Sequence, residues 1–165
     1  MSNDPPTVLV VDDEADVTEV YSLWLATGEY EVRTGTGGRA ALETIDESVD
    51  VVLLDRRMPE LSGDEVLERI REQGYDVRVA MVTAVDPDFD LVEMDFEAYL
   101  TKPVMEDDLH DTVEQLLELD DETRRERHAL EEKRSILRRQ KSADELDESD
   151  AFEELNERLE RLNDG

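Results

Sequence analysis

The chain has 165 residues, 47 acidic against 18 basic, a formal net charge of -29 and 38% hydrophobic residues. That length allows one domain of ordinary size plus an appendage, and such a charge argues against whole-surface binding to DNA or anionic lipid. The chain has no cysteine, so disulfide and thiolate chemistry are excluded.

No signal pattern opens the sequence at Met1-Ser2-Asn3-Asp4-Pro5-Pro6, and no apolar run approaches the roughly 18 residues needed to cross a membrane. A cytoplasmic location without membrane contact is expected. Acidic residues are spread along the chain, and fifteen of the eighteen basic residues are arginine. A surface that repels itself at low salt is a lever that halophiles exploit, so the cytoplasm is expected to be a salt-adapted one.

Residues 1–6 read as a flexible N-terminus. Thr7 to Val11 is uninterrupted and β-branched, as a strand buried on both faces should be. Glu14 to Thr27 sets Val17, Val20, Tyr21, Trp24 and Leu25 on one helical stripe, which Gly28 ends. Tyr30 to Thr34 is a second strand. A helix over Gly38 to Asp46 turns Ala41, Leu42 and Ile45 inward. The third strand is Asp50 to Leu54, followed by a Pro59-containing loop and a helix from Asp64 to Gln73 that buries Val66, Leu67 and Ile70. Val77 to Val82 is the fourth strand, Pro87 starts a short helix with Phe89, Leu91 and Val92, and Ala98 to Leu100 is the fifth strand. A helix with Leu109, Val113, Leu116 and Leu117 completes the series. Five βα units in this order predict an α/β fold, a doubly wound five-stranded parallel sheet, over residues 7–119.

Such a sheet gathers the C-terminal ends of its strands along one edge, where ligands bind. That edge would collect Asp12 and Asp13, Asp55, Thr83 and Lys102. Three carboxylates within a few ångströms repel one another by roughly 4 kcal/mol per pair at 4 Å under an effective dielectric near 20. They call for a cation, and Mg²⁺ fits because it takes few carboxylates, keeps waters and bridges to phosphate oxygens. A hydroxyl and an ammonium beside them suit a phosphoryl oxygen.

With those positions in hand, residues 7–119 resemble the receiver domain of two-component response regulators. The matching stretches are Val8-Leu-Val-Val-Asp-Asp-Glu14, Leu54-Asp-Arg-Arg-Met-Pro59 with Gly63, Val82-Thr-Ala84 and Tyr99-Leu-Thr-Lys-Pro103. The resemblance implies that Asp55 accepts a phosphoryl group from a histidine kinase or phosphotransfer protein and later loses it to water. It implies that Asp12 and Asp13 hold Mg²⁺ with Asp55 and the backbone carbonyl of Arg57. Lys102 would contact the acyl phosphate, with Arg57 and Ala84 close to it. Thr83 would move toward it and Tyr99 turn inward. Pro59, Gly63 and Pro103 belong to the surrounding loops, Pro103 after a cis bond. The protein would then be a switch, not an enzyme. Fifteen residues separate Thr83 from Tyr99, about one helical turn short of the usual receiver. The fourth helix should therefore be stubby, which puts the usual receiver dimer face in question.

A metal-dependent phosphatase of the haloacid dehalogenase type also places aspartate after its first strand. That family wants Asp-x-Asp, whereas this chain reads Asp12-Asp13-Glu14, and its nucleophile would not be Asp55.

Residues 120–165 have a different texture and resemble the HalX domain that follows receivers in haloarchaeal regulators. Leu109, Leu116, Thr123, Leu130 and Leu137 recur every seventh residue, which predicts one long rod continuing from the last receiver helix, with a thin seam. A final helix carries the stripe Phe152, Leu155, Leu159 and Leu162. It is too short to persist alone in water, so it must dock on the preceding helix or on a second subunit, giving a homodimer through the C-terminal helices. The basic stretch 124–141 offers DNA binding as an alternative output, although no helix-turn-helix pattern is present. For the distributed acidity, the expected outcome is a thermal midpoint that rises as salt goes from dilute buffer to molar KCl; an unchanged midpoint in dilute buffer would remove salt adaptation.

Overall fold

The computed structural model describes residues 5–164; of the expected flexible N-terminus 1–6, all but Pro5 and Pro6 lie outside them. Five parallel strands, β1 (Thr7–Val11), β2 (Glu31–Gly35), β3 (Val49–Leu54), β4 (Arg78–Thr83) and β5 (Ala98–Thr101), form one sheet in the order β2-β1-β3-β4-β5. Their registers bring Val11 beside Leu54, and Leu54 beside Met81. Side chains alternate along each strand. Val8 and Val10 therefore join the core under α1 (Ala15–Ala26) and α4 (Glu106–Leu117). Leu9 and Val11 join the core on the opposite face, under α2 (Gly38–Thr44) and α3 (Gly63–Glu72). The near-continuous apolar strands of the sequence are thus explained: both faces are covered.

Local signals set the helix ends. The Ser62 hydroxyl accepts from the Glu65 N–H at 3.2 Å, and α3 has Asp64 and Glu65 in its first turn and Arg69 and Arg71 in its last, complementing the helix dipole. Between β4 and β5 the expected short helix is a single 3-10 stretch, Phe89–Glu93.

The predicted rod does not form. α4 stops at Leu117, and α5 (Glu122–Gln140) starts afresh with the Asp121 carboxylate accepting from the Arg124 N–H at 2.8 Å. The Arg78 guanidinium of β4 donates to the Leu119 carbonyl at 3.1 Å, and Leu119 is buried in the core with α4. These contacts turn the chain, so the seven-residue spacing is shared between two helices on opposite faces of the sheet. Leu109 and Leu116 pack on one side, Leu130 and Leu137 on the other.

α5 packs against β5 and the 3-10 stretch, where a full fourth helix would otherwise sit. After a short α6 (Ala143–Asp147), α7 (Asp150–Asp164) returns along α5 and also meets the 3-10 stretch. The final helix thus finds its groove within the same chain. Leu130, Leu137, Phe152, Leu155 and Leu159 merge into one core with Leu91, Val92, Phe96 and Tyr99. Each fully buried leucine there contributes about 1.5–3 kcal/mol, which stabilises an α7 too short to stand alone. Among the described residues no helix is long and apolar enough to cross a membrane.

One charge is buried in this seam. Lys133 of α5 is 4% exposed; its ammonium donates to the Met94 carbonyl and lies 4.9 Å from the Phe96 ring centroid. Burial, with Arg158 adding to it, pushes its pKa down to about 8 against the pull of Asp95 and Glu97. The folded pKa lies below the unfolded one, near 10.4. Between these values the unfolded chain keeps a proton the folded protein has released, so this group adds stability as pH rises through that window. The penalty is fully present below pH 8. Relative to Lys133→Met, wild-type stability in urea titrations should improve by on the order of 2 kcal/mol from pH 8 to pH 10; a pH-independent difference would show that the ammonium is not held this way.

Candidate functional site

In this strand order the chain reverses its winding direction between β1 and β3, the place where open α/β sheets leave a ligand crevice. The C-terminal residues of those strands meet there. Asp55 donates its N–H to the Val11 carbonyl at 3.1 Å, which fixes the two loops side by side. Asp12 is 1% exposed and Asp55 8%, while Asp13 is exposed at the rim. Each of the three offers a carboxylate oxygen, and these oxygens lie within 4.8 Å of one another.

From β5, Lys102 reaches back across the sheet, its Nζ 2.6 Å from Asp12 Oδ2 and 3.2 Å from Asp55 Oδ2. Burial opposes its charge, but Asp12 and Asp55 outweigh that and hold its pKa above the ordinary lysine value. Its backbone is held to β4, with the Lys102 N–H donating to the Thr83 carbonyl at 2.7 Å. The Lys102–Pro103 bond is cis, as the resemblance implied. Asp12 Oδ1 accepts from the Glu14 N–H at 3.0 Å, and Asp55 Oδ1 from the Arg57 N–H at 3.3 Å. Three converging carboxylates with one shared ammonium form a hard-oxygen donor set with residual negative charge, and this fits a divalent cation such as Mg²⁺.

Thr83 ends β4, 1% exposed, with its hydroxyl accepting from the Val85 N–H at 3.3 Å. Ala84 is exposed beside it. Tyr99 is buried and turned inward, its hydroxyl donating to the Val85 carbonyl at 2.7 Å. Burial raises the phenol pKa, and the Arg56 guanidinium opposes that rise. All five strand-end positions therefore converge, and Tyr99 joins them through Val85. Pro59 and Pro103 are exposed on the loops above.

Arg57 is also exposed, and sequence reasoning picked it while passing over its neighbour. Arg56 is 6% exposed. It chelates Asp64 through Nε and Nη2 at 3.0 and 2.9 Å, and reaches Asp90 at 2.7 Å and the Tyr99 hydroxyl at 3.4 Å. Asp64 foremost holds its pKa above the ordinary arginine value. Arg56 and Arg57 together line an open cavity of about 790 Å³ with Ser62, Val85 and Asp86. Glu97 was missed as well. It is 3% exposed, pairs with Arg71 of α3 and Arg125 of α5 at 3.0 and 3.1 Å, and accepts from the Val79 N–H at 2.9 Å. The signals available were an arginine directly after the candidate acceptor and an acid opening the fifth strand.

Comparison with known proteins places this geometry. Residues 8–114 match the family model of the response regulator receiver domain, and residues 120–165 that of the HalX domain. A candidate transcriptional regulator of Haloferax volcanii is 50% identical over 157 residues, 94% of this chain and 27% of that protein. The alkaline phosphatase synthesis transcriptional regulatory protein PhoP of Bacillus subtilis is 36% identical over 100 residues, 58% of this chain and 42% of that protein. The chain thus spans well under half the length of these two relatives. Among solved structures, a receiver domain protein of Methanospirillum hungatei aligns with a TM-score of 0.64 at 26% identity, covering 69% of this chain and 95% of that one. Response regulator TrrA of Thermotoga maritima, in complex with Mg²⁺-BeF, aligns with a TM-score of 0.57 at 30% identity, over 67% of this chain and 98% of that one.

The loop that carries Asp55 depends on Gly63. Its N–H donates to the Arg56 carbonyl at 2.7 Å, and a Cβ there would stand 1.8 Å from the Asp55 carbonyl oxygen. Backbone cannot yield as a flexible side chain does, so Gly63→Ala should cost at least about 2 kcal/mol in chemical denaturation and weaken Mg²⁺ binding by the same displacement. Wild-type stability in that variant would contradict the close approach.

Proposed function

This chain belongs to the response regulator receiver family and carries a HalX domain behind the receiver, and on that premise we propose that it is a phosphorylation switch with Asp55 as the acceptor. A histidine kinase or a phosphotransfer protein is the donor. A carboxylate oxygen of Asp55 attacks phosphorus, the bond from phosphorus to the donor imidazole nitrogen breaks, and the imidazole leaves to take a proton. The observation that carries this reading is the paired contact of Lys102 with Asp12 and Asp55.

A carboxylate is a weak nucleophile toward phosphorus unless both partners are positioned and the developing charge is met. Asp12, Asp13, Asp55 and the Arg57 carbonyl would hold Mg²⁺, which when bound neutralises charge on the phosphoryl oxygens. Lys102, kept charged by its two carboxylates, follows Asp55 onto the new phosphoryl group. The product carries nearly two negative charges and attracts the Thr83 hydroxyl, with Ala84 and Arg57 at the border of the group. Water later hydrolyses the acyl phosphate. The protein acts on itself once per cycle and is not an enzyme of turnover.

A phosphatase of the haloacid dehalogenase type has less support. It would need Asp-x-Asp after β1, whereas this chain reads Asp12-Asp13-Glu14 there. For the C-terminal segment we favour a protein-interaction role. Within the basic stretch 124–141, Arg125 is spent on Asp76 and Glu97, Lys133 on the Met94 carbonyl and Lys141 on Asp88. That removes three of the eight cations of the stretch from any DNA backbone contact, and the transcriptional roles of the longer relatives remain theirs.

With Mg²⁺ and acetyl phosphate, intact-mass measurement should show the addition of one phosphoryl group to the wild type and none to Asp55→Asn. Lys102→Met should slow the gain by about a hundredfold. Label retained by Asp55→Asn, or sustained hydrolysis of phosphomonoesters, would overturn this reading.

A further inference from the structure

A cavity of about 740 Å³ lies between the receiver and the C-terminal helices, at the sheet edge opposite to Asp55. Arg78 at the start of β4 and Glu97 just before β5 line it from the sheet, and Lys133 of α5 and Arg158 of α7 line it from the helices. Its volume is that of a small-molecule site.

The charges on its wall are unequally satisfied. Lys133 is 4% exposed, and among the described residues no carboxylate forms an ion pair with its ammonium. The carboxylates it feels, Asp95 and Glu97, are already engaged. Glu97 is held by Arg71 and Arg125 at 3.0 and 3.1 Å, and Asp95 by Arg71 at 3.5 Å. An ammonium has three N–H groups to place, and among the described residues only the Met94 carbonyl accepts from this one. Half-buried Arg158 stands near enough to disfavour the ammonium further, and its own carboxylate contact is a long one, 3.9 Å to Glu126. Two cations close together, one of them buried without a counterion, are unfavourable unless an anion joins them. Glu93 and Glu122 also line the cavity, but both are exposed to water and screened by it. Beside the two cations the wall turns apolar at Met94 and Ala129.

We propose that this cavity binds a small organic anion, its carboxylate or phosphate group between Lys133 and Arg158 and its apolar part against Met94 and Ala129. The cations come from α5 and α7 and Met94 from the segment before β5, so the occupant ties the C-terminal helices to the receiver. The site is independent of the acceptor chemistry at Asp55.

Thermal unfolding of the full chain, at constant ionic strength and without Mg²⁺, tests this with phenyl phosphate, benzoate and inorganic phosphate as probes. Phenyl phosphate or benzoate should raise the wild-type midpoint saturably, and which of them does so tells a phosphate ligand from a carboxylate. The better of the two should bind about tenfold tighter than inorganic phosphate, which has no apolar part to bury. Lys133→Met keeps the buried stem and removes only the ammonium. It and Arg158→Gln should each weaken binding by about tenfold or more, whereas Asp55→Asn should bind as the wild type does. An equal rise in Lys133→Met, a rise lost in Asp55→Asn, or no rise with any of the three probes overturns the site. Inorganic phosphate binding as tightly as the aromatic probes overturns the part given to Met94 and Ala129.

Discussion

The Lys102 ammonium between Asp12 and Asp55 is the interaction on which the site depends. In a chain of net charge -29, placing three carboxylate oxygens within 4.8 Å of one another is unfavourable unless positive charge is delivered to the same spot. Topology makes that delivery possible. β1 and β3 are neighbours at the sheet's reversal point, and the β5 end returns across β4 with its backbone fixed to Thr83. The lysine side chain then spans the distance. One ammonium against three carboxylates leaves the negative charge that a divalent cation answers. The site is therefore incomplete by design of its charges, and the same imbalance readies it for a phosphoryl group.

A second constraint follows from the shortened segment between β4 and β5. With only a 3-10 stretch there, the sheet face above Leu91, Val92 and Phe96 lacks a cover. The C-terminal helices supply it, at the cost of burying Lys133. A buried ammonium is tolerated because it has a carbonyl and an aromatic face to meet. The two parts of the chain thus share one core, and the segment that reads as an output module is also a structural layer of the receiver.

Charged residues hold the two parts together in unequal ways. The exposed pair of Arg124 with Asp120 lies within the C-terminal part and contributes little. Glu97 is different: its carboxylate is buried, and two guanidinium groups and the Val79 N–H satisfy it. Removing one partner of such a cluster leaves an uncompensated charge inside the protein. Arginine suits this role, since its planar fork makes several fixed bonds at once. Arg56 serves Asp64, Asp90 and Tyr99 in the same manner.

The sequence by itself determined the sheet and the convergence of Asp12, Asp13, Asp55, Thr83 and Lys102, because β1, β3, β4 and β5 are mainly apolar runs and the residues at their ends announce the chemistry at the shared edge. It also announced the short fourth helix through a simple count of residues. Only the tertiary structure decided the rest. The seven-residue recurrence of Leu109, Leu116, Leu130 and Leu137 suits a rod equally well, until the Arg78–Leu119 bond and the Asp121 cap turn the chain and send the leucines to opposite faces. Likewise Asp55-Arg56-Arg57 presents two arginines that local pattern cannot rank. Arg56 is drawn inside by Asp64, Asp90 and Tyr99, partners 8, 34 and 43 residues away, and no local periodicity encodes contacts at such separations. Periodicity reports which face of an element is apolar; which surface that face meets is settled by long-range packing, and so is the docking of α5 and α7.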